Sequence, residues 1–173
     1  GMRVACWRDA GHHRQGCYAQ YVPMAADNVI QIPDHVTWDQ VTSLELAMCV
    51  QVSFDQLLHL DAVAGKRFGV GGLGAAGLVA SQMAKAYGAA EVIGVDPVAS
   101  RRDLALSWGT DQALAPTDPA WGPDRHGGSA VYAAVDCTGL KVSIEYLMER
   151  TTRAVAIFGV LRETVEFKAA YWG

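Results

Sequence analysis

Closely spaced glycines between residues 68 and 96 are the clearest chemical signature in this chain. The stretch reads FGVGGLGAAGLVASQMAKAYGAAEVIGVD, with an apolar run before the glycines, an alanine-rich run after them and an acid at the end. A glycine-rich turn that joins a strand to a helix brings backbone N–H groups close to phosphate oxygens. The pattern G-x-G-x-x-G, followed about 20 residues later by an acid, is typical of dinucleotide binding.

The glycine pattern fits the sequence in two registers, Gly69–Gly71–Gly74 and Gly72–Gly74–Gly77. The first register would place glycines in the opening turns of the following helix, at about 1 kcal/mol each relative to alanine. The second register lets the strand end at Gly71 and the helix begin directly after Gly74. We therefore adopt the second register.

In this register each glycine has a separate physical role. Gly72 makes the tight turn, Gly74 lets a pyrophosphate approach the backbone, and Gly77 lets the helix pack against the strand. The N–H groups of Ala75 and Ala76 point from the helix N-terminus, where the helix dipole favours negative charge. The residues predicted to bind the pyrophosphate part of a cofactor are Gly72, Leu73, Gly74, Ala75, Ala76 and Gly77.

Asp96 ends the next predicted strand, 24 positions after Gly72. This is close to the spacing expected of the acid that binds the adenosine ribose. A carboxylate there accepts a hydrogen bond from the 2′-hydroxyl and repels a 2′-phosphate, which favours NAD over NADP. The alternative is that Asp96 is only a turn residue before Pro97.

Further candidates follow the later predicted strands, where open α/β sheets bind ligands. Arg101 could reach the adenine or its ribose, or could belong to a solvated helix start. Cys137 and Thr138 lie in the segment DCTG after the fourth strand, and Phe158 and Gly159 lie in FGV after the fifth. For both segments the alternative is an ordinary turn.

Composition excludes several classes of protein. The chain has 173 residues, 51% of them hydrophobic, and a net charge of −4, so no basic excess favours nucleic acid. No run approaches the length of a membrane span. The cysteines are scattered without a C-x-x-C pair, which favours a reducing, cytoplasmic compartment.

From residue 66 the pattern alternates strands with helices, which predicts a doubly wound parallel sheet. The loop 115–128, rich in proline and glycine, is expected to replace one crossover helix. The predicted strands are Arg67–Gly71, Glu91–Asp96, Gln112–Leu114, Ala130–Asp136 and Arg153–Val160, with a last short one in RETVEFKAAYWG; the helices are Ala75–Tyr87, 100–108 and Val142–Arg150.

The first 65 residues have a different pattern. Residues 1–15 read as a loose lead-in, and CYAQYVPMAADNVIQIP as two strands joined by a turn. Thr37 and Gln40 form a predicted capping box for one helix continuing through Leu57, and Ser100 and Asp103 form another.

A dinucleotide could serve hydride transfer from an alcohol, and we searched the sequence for the catalytic groups that this reaction needs. Such chemistry needs a metal ion or a base to take the hydroxyl proton. The sequence has no H-E-x-x-H, no clustered Cys/His set and no Tyr-x-x-x-Lys pair, and its histidines read as surface or structural residues. The residues alone therefore predict no catalytic centre.

Several segments together resemble the medium-chain, zinc-dependent alcohol and polyol dehydrogenases. These segments are GCYAQYV, VIQIPDHVTWDQVTSLE, the glycine stretch with its lead-in GKR, RRDLALSWGTDQAL, AVDCTG and RAVAIFGV. The resemblance implies a doubly wound Rossmann sheet with helices on both faces, preceded by a short β remnant of a GroES-like catalytic domain. The expected boundaries are 1–45 for the remnant and 46–173 for the Rossmann domain.

The resemblance also implies NAD as cofactor, an alcohol or polyol as substrate in the complete enzyme, and a homodimer. Glu45 lies near a position where many family members carry a zinc-associated residue, although the partner ligands are absent. We expect zinc in the complete family enzymes and not in this chain. The alternatives are a non-catalytic dinucleotide-binding or oligomerisation module and, with less support, a methyltransferase with a similar loop.

Overall fold

The computed structural model describes residues 1–7, 11 and 16–167. By their contacts the residues divide into two compact units, Gly1–Met48 and Cys49–Gly173. The predicted boundary after residue 45 and this division both fall within one helix, α2, which spans Leu44–His59. The interpretation of residues 1–45 as part of a catalytic domain stays a prediction.

The first unit contains a two-stranded antiparallel sheet. Strand β1 (Val4–Cys6) pairs with β2 (Val29–Gln31), which follows a 3₁₀ turn. The sequence predicted a strand on each side of that turn, and the prediction was wrong for the strand before it. The partner of β2 is instead β1, which lies in the segment expected to be a loose lead-in. Tyr18 and Tyr21 are exposed, so the segment before the turn buries neither ring that would have stabilised a strand.

Two helices stand where the sequence predicted one. Helix α1 (Trp38–Val41) begins at Thr37 with the predicted capping box, which is confirmed. The side-chain hydroxyl of Thr42 then donates to the carbonyl oxygens of Trp38 and Asp39. A hydroxyl that bonds these carbonyls competes with the helical N–H groups, and α2 starts afresh at residue 44.

The second unit contains a parallel five-stranded sheet in the order β5-β4-β3-β6-β7. The order reverses next to β3, as in a doubly wound fold, and the predicted fold class is confirmed. The strands are β3 (Arg67–Gly71), β4 (Glu91–Val95), β5 (Gln112–Leu114), β6 (Val131–Asp136) and β7 (Thr151–Ile157); the helices are α3 (Ala75–Ala86), α4 (Ala99–Ser107) and α5 (Lys141–Met148).

Helices cover both faces of this sheet because successive residues of β3 point to opposite sides. On one face a Cβ atom on Gly71 would lie 2.9 Å from Cδ1 of Leu147 in α5. On the other face the ring of Phe68 stacks on Phe54 of α2, with centroids 5.6 Å apart. In the part of the chain that the structure describes, no helix is both long enough and apolar enough to cross a bilayer.

The loop between β5 and β6 takes the place of a crossover helix, as predicted. It contains a 3₁₀ turn, Pro119–Trp121, and the Trp121 side chain is 1% exposed. A Cβ atom on Gly69 would lie 2.8 Å from this indole, and the ring of Tyr146 meets it edge-on at 5.6 Å. The Arg150 guanidinium donates to the Trp121 carbonyl at 2.8 Å. One indole thus fills much of the space that a helix would occupy.

The capping box predicted at Ser100 and Asp103 was wrong. Helix α4 begins at Ala99 with no side-chain cap. The Asp96 carboxylate accepts the N–H of Val98 at 2.8 Å instead. An acid preceding the helix therefore organises the turn that leads into it, and the chain becomes helical before Ser100.

The end of the sheet also differs from the prediction. Strand β7 runs from Thr151 to Ile157, so it begins and ends earlier than the predicted Arg153–Val160. The structure shows no strand over 161–167, and residues 168–173 of the predicted last strand lie outside the described residues.

We predict that Trp121→Ala lowers the free energy of unfolding by about 3–5 kcal/mol, because it leaves a cavity against Gly69. The matched control is Trp108→Ala, since Trp108 is 55% exposed and its loss should cost less than about 1 kcal/mol. Urea denaturation followed by circular dichroism measures both. Equal effects of the two substitutions would contradict the role assigned to Trp121.

Candidate functional site

A cavity of about 550 Å³ opens at the carboxyl edge of the parallel sheet. It lies where β4, β3 and β6 end side by side, which is where this fold class binds ligands. Thirteen residues of the second unit line it: Gly72, Gly74, Val95, Asp96, Pro97, Arg101, Pro116, Cys137, Thr138, Leu140, Val142, Ser143 and Tyr146.

The turn after β3 can be built only from glycine at two positions. Gly72 has φ +82°, and a Cβ atom there would lie 2.5 Å from Cγ2 of Thr138. A Cβ atom on Gly77 would overlap the carbonyl oxygen of Gly72. The first turn of α3 therefore packs directly on the backbone of the loop. The predicted strand end at Gly71 and helix start at Ala75 are confirmed.

Gly74 and Leu73 face different surroundings. Gly74 precedes the first residue of α3, and a Cβ atom there would project into open space at the cavity. Leu73 is fully buried, and its N–H donates to Oδ2 of Asp96 at 2.8 Å. That N–H is therefore engaged within the protein, and the N–H groups at the start of α3 are the donors directed outward.

Asp96 joins the end of β4 to the glycine turn. Its side chain is 2% exposed; Oδ2 accepts from Leu73, Oδ1 accepts from the N–H of Val98, and Arg101 Nη1 lies 3.5 Å from Oδ2. Two carboxylate oxygens offer about four lone-pair sites, so Asp96 retains acceptor capacity toward the cavity. Asp96 therefore caps a turn and also lines the cavity, and its binding of a ribose stays a prediction.

The two arginines after Asp96 are used differently. Arg101 is about half exposed and lines the cavity beside the Asp96 carboxylate. Arg102 donates to the backbone carbonyl of Asp96 at 2.7 Å, which fixes the start of α4. Arg101 is therefore the arginine that can contact a bound ligand.

A second buried carboxylate organises the wall at the end of β6. Asp136 is 0% exposed and accepts four hydrogen bonds. Its Oδ2 accepts from the N–H groups of Thr138 at 3.2 Å and Gly139 at 2.7 Å, and its Oδ1 accepts from the hydroxyls of Thr138 at 2.7 Å and Ser143 at 2.6 Å. Burial of a charge is tolerated when it is hydrogen-bonded in this way.

Phe158 and Gly159 lie behind this wall, outside the residues that line the cavity. Their N–H groups donate to the Asp136 carbonyl oxygen at 2.9 and 3.0 Å. A Cβ atom on Gly159 would overlap the backbone nitrogen of Gly139. The two segments that the sequence proposed separately are thus packed against each other and anchored to one residue.

Comparison with known proteins decides the family. A sequence model described as "Zinc-binding dehydrogenase" matches residues 75–171, more than half of the chain. The chain belongs to the zinc-binding dehydrogenase family. The resemblance inferred from the sequence is confirmed.

Individual relatives agree with this assignment. An alcohol dehydrogenase of Geobacillus stearothermophilus is 31% identical over 173 residues, which are 95% of this chain and 50% of that protein. An L-threonine 3-dehydrogenase of Legionella pneumophila is 32% identical over 108 residues, 60% of this chain and 29% of that protein. The chain therefore spans at most about half the length of these relatives.

A solved structure matches nearly the whole length of this chain. The protein of Sinorhizobium meliloti 1021, described as a zinc-binding dehydrogenase bound to NADP, superimposes with a TM-score of 0.83 and 25% identity. The match covers 95% of this chain and 50% of that one. A zinc-dependent alcohol dehydrogenase 2 of Streptococcus pneumonia shares the fold, with a TM-score of 0.71, 24% identity, and 87% and 44% coverage.

The zinc that the family name implies does not fit the described residues. Among residues 1–7, 11 and 16–167, no group of three or more His, Cys, Asp or Glu side chains is placed to hold a metal ion. Glu45, the predicted zinc-associated residue, lies exposed in the first turn of α2. One carboxylate does not make a tetrahedral zinc site, and its assignment to a metal stays a prediction.

The structure brings six predicted site residues to one cavity: Gly72, Gly74, Asp96, Arg101, Cys137 and Thr138. It adds residues that the sequence reasoning missed, above all Ser143 and Tyr146 of α5. A serine in the first turn of a helix after the DCTG segment was a usable signal for Ser143. Nothing in the sequence pattern distinguishes Tyr146 from a core aromatic residue.

Cys137 lines the cavity, and its surroundings disfavour the thiolate form. Burial, together with the negative charge of Asp136, raises the pKa of the Cys137 thiol to about 12. The thiolate is the nucleophilic form of cysteine. At neutral pH the side chain is therefore a small neutral contact surface.

We predict that Cys137 resists alkylation by iodoacetamide at pH 8 in the folded chain. A thiol with a pKa of about 12 is only about 10⁻⁴ ionised at that pH, and its rate should keep rising about tenfold per pH unit. Exposed Cys17 is the internal control, and peptide mass spectrometry reads both sites. Equal alkylation rates at Cys137 and Cys17 would contradict this prediction.

Proposed function

We propose that this chain is the cofactor-binding domain of an NAD(H)-dependent, zinc-type alcohol or polyol dehydrogenase. The observation that carries the proposal is the position of the Asp96 carboxylate, which lies on the same cavity as the glycine turn and hydrogen-bonds to that turn. In the complete enzyme, the dinucleotide supplies hydride acceptance, and the residues of this chain bind and orient it.

The glycine turn supports the pyrophosphate part of this proposal. Close packing of Gly77 on Gly72 lets the backbone approach a ligand, and the first N–H groups of a 12-residue helix lie beside it. These unsatisfied donors and the helix dipole favour phosphate oxygens. We assign Gly74, Ala75 and Ala76 to the direct contacts, and Gly72, Leu73 and Gly77 to the shape of the loop.

The remaining assignments follow the walls of the cavity. Cys137 and Thr138 contribute the β6 side of the dinucleotide site. Phe158 and Gly159 support them from behind through the Asp136 carbonyl oxygen. An alcohol or polyol remains the proposed substrate class of the complete enzyme.

Asp96 supports a preference for NAD. Its carboxylate is buried and fixed by two backbone N–H groups, so it cannot swing away from an incoming 2′-phosphate. Repulsion between two anions in a partly buried site disfavours NADP, whereas a ribose 2′-hydroxyl can donate to the carboxylate. The Sinorhizobium meliloti relative was crystallised with NADP, and a titration of this chain with both reduced cofactors tests the preference.

The assembly and compartment are also proposed. Strand β7 is an outer strand of the sheet, and such an edge exposes unpaired backbone groups that favour association. We therefore propose a homodimer. Light scattering should give twice the mass of one chain, and a monomer at micromolar concentration would contradict the dimer.

The compartment is proposed from the cysteines. None of the four cysteines, all of them described, forms a disulfide, which supports a reducing cytoplasm.

The cofactor proposal is tested by titrating the purified chain with NADH and NADPH. Energy transfer from tryptophan to the reduced nicotinamide reports binding. We expect saturable binding of both, with NADH at least about tenfold tighter because of the charge on Asp96. Binding of neither dinucleotide would contradict the proposed function, and tighter NADPH would contradict the assignment of NAD.

Two asparagine variants isolate the charge. Asp96→Asn retains a side-chain oxygen for one of the two backbone N–H groups but loses the negative charge, so the ratio of NADPH to NADH dissociation constants should fall by about tenfold. Asp103→Asn is the matched control, because Asp103 is exposed on the same helix that follows Asp96. It should leave the ratio unchanged.

A further inference from the structure

A second cavity, of about 420 Å³, lies at the amino edge of the parallel sheet. Strands β3, β6 and β7 are neighbours in the sheet, and residues at the start of all three line this cavity, which we call the amino-edge groove. It shares no lining residue with the cavity at the carboxyl edge, and its volume suits a small molecule. The lining residues are Gly65, Lys66, Arg67, Arg125, His126, Gly127, Ala130, Val131, Tyr132 and Thr152.

The amino-edge groove concentrates positive charge. Three of its ten lining residues are Lys or Arg, whereas the whole chain has 14 Lys and Arg in 173 residues. None of the described residues that line it is an Asp or Glu. In a chain with a net charge of −4, such a local excess of cations creates a positive potential that attracts anions.

Arg67 is held at the groove with part of its donor capacity unused. Its Nε donates to Oε2 of Glu91 at 2.5 Å, and its Nη1 donates to the carbonyl oxygens of Gly128 and Ala130 at 2.5 and 3.3 Å. The two N–H groups on Nη2 have no acceptor within the described part of the chain. Glu91 also accepts from Gln112 at 2.6 Å and lies outside the lining. Arg67 is therefore a fixed guanidinium with two donors remaining.

Lys66 adds a charge that no carboxylate of the described residues neutralises. Its ammonium nitrogen lies 4.9 Å from the ring centroid of Tyr132, which also lines the groove. A cation over an aromatic face is held by the ring quadrupole and keeps its N–H donors for a ligand. Because Lys66 is half-buried, solvent screens its charge less than that of a fully exposed lysine.

The loop between β5 and β6 supplies the other side of the groove. Arg125, which is half-buried, and His126 line it from this loop. Asp124 precedes them, but its Oδ1 accepts the N–H of His126 at 2.9 Å and its side chain does not line the groove. The acid thus shapes the loop, while the basic residues after it line the groove.

The cations of the groove favour a phosphate group over other anions. A phosphate ester carries close to two negative charges at neutral pH and three acceptor oxygens, so Lys and Arg side chains can bond it together. A carboxylate offers one charge and two oxygens. A nucleic acid would need a longer basic surface, and the net charge of −4 opposes its approach.

We propose that the amino-edge groove binds the phosphate group of a small molecule through Lys66, Arg67 and Arg125. This site goes beyond the proposed dinucleotide function, because the glycine turn lies at the opposite edge of the sheet. Free phosphate and a phosphate ester share the chemistry that the groove recognises, and the experiment separates these two sources.

The test follows glycine amide signals by proton–nitrogen correlation NMR. Gly65 and Gly127 line the groove, and Gly72 and Gly74 line the carboxyl-edge cavity, so one spectrum reports on both sites. The chain is titrated with inorganic phosphate and with glycerol phosphate, and sodium chloride at the same ionic strength is the blank. We expect the Gly65 and Gly127 signals to shift saturably at low millimolar phosphate and to stay in place with chloride. Tighter binding of glycerol phosphate supports an ester as the ligand, and equal affinity supports free phosphate.

Variants assign the response to the cations. Lys66→Gln should weaken phosphate binding at the groove by about fivefold and leave the shifts of Gly72 and Gly74 unchanged. Lys66→Arg keeps the charge and should retain the affinity within about twofold. Arg125→Gln should weaken binding in the same way as Lys66→Gln. Arg162→Gln is the matched control, because Arg162 is exposed and lines neither cavity.

The outcomes separate this inference from the proposed function. Equal shifts of Gly65 and Gly127 in phosphate and in chloride overturn the inference, and so does an unchanged affinity in both Lys66→Gln and Arg125→Gln. NADH binding without a response at the groove removes this inference alone. A response at the groove without NADH binding removes the proposed function alone. Melting temperatures show that each variant is folded when it is measured.

Discussion

The hydrogen bond from the Leu73 N–H to the buried Asp96 carboxylate ties the glycine turn to the neighbouring strand. A carboxylate at 2% exposure must be compensated by donors, and the turn supplies one of them. The same hydrogen bond fixes the backbone of the glycine turn at the end of β4. This link joins the turn to the end of β4, and it places a carboxylate beside the cavity. Preorganisation of this kind reduces the entropy lost on binding.

A similar arrangement appears on the other side of the turn. Asp136 at the end of β6 accepts two backbone N–H groups and two hydroxyls, while its carbonyl oxygen holds the chain after β7. Two buried acids on strands that flank β3 therefore shape the cavity. Asp96 faces it as a charge, whereas Asp136 acts through the hydroxyls of its neighbours.

The family assignment agrees with the features of the described residues. The chain belongs to the zinc-binding dehydrogenases, and it spans about half the length of the Geobacillus relative. The described residues supply a doubly wound sheet and a cavity at its carboxyl edge, without a set of metal ligands among them. Under the proposed function, these residues would orient a bound cofactor and supply the electrostatics around it.

By itself, the sequence determined the features that depend on local spacing. These include the strand–turn–helix around Gly72, the acid 24 positions later, the capping box at Thr37 and the loop that replaces a crossover helix. Tertiary structure decided what depends on distant partners. Val4–Cys6 forms a strand because β2 lies opposite it, and α4 begins early because Asp96 takes the Val98 N–H. Ser143 lines the cavity only because α5 packs on the sheet beside Gly71. Such contacts join residues far apart in the chain, so no periodicity of the sequence encodes them.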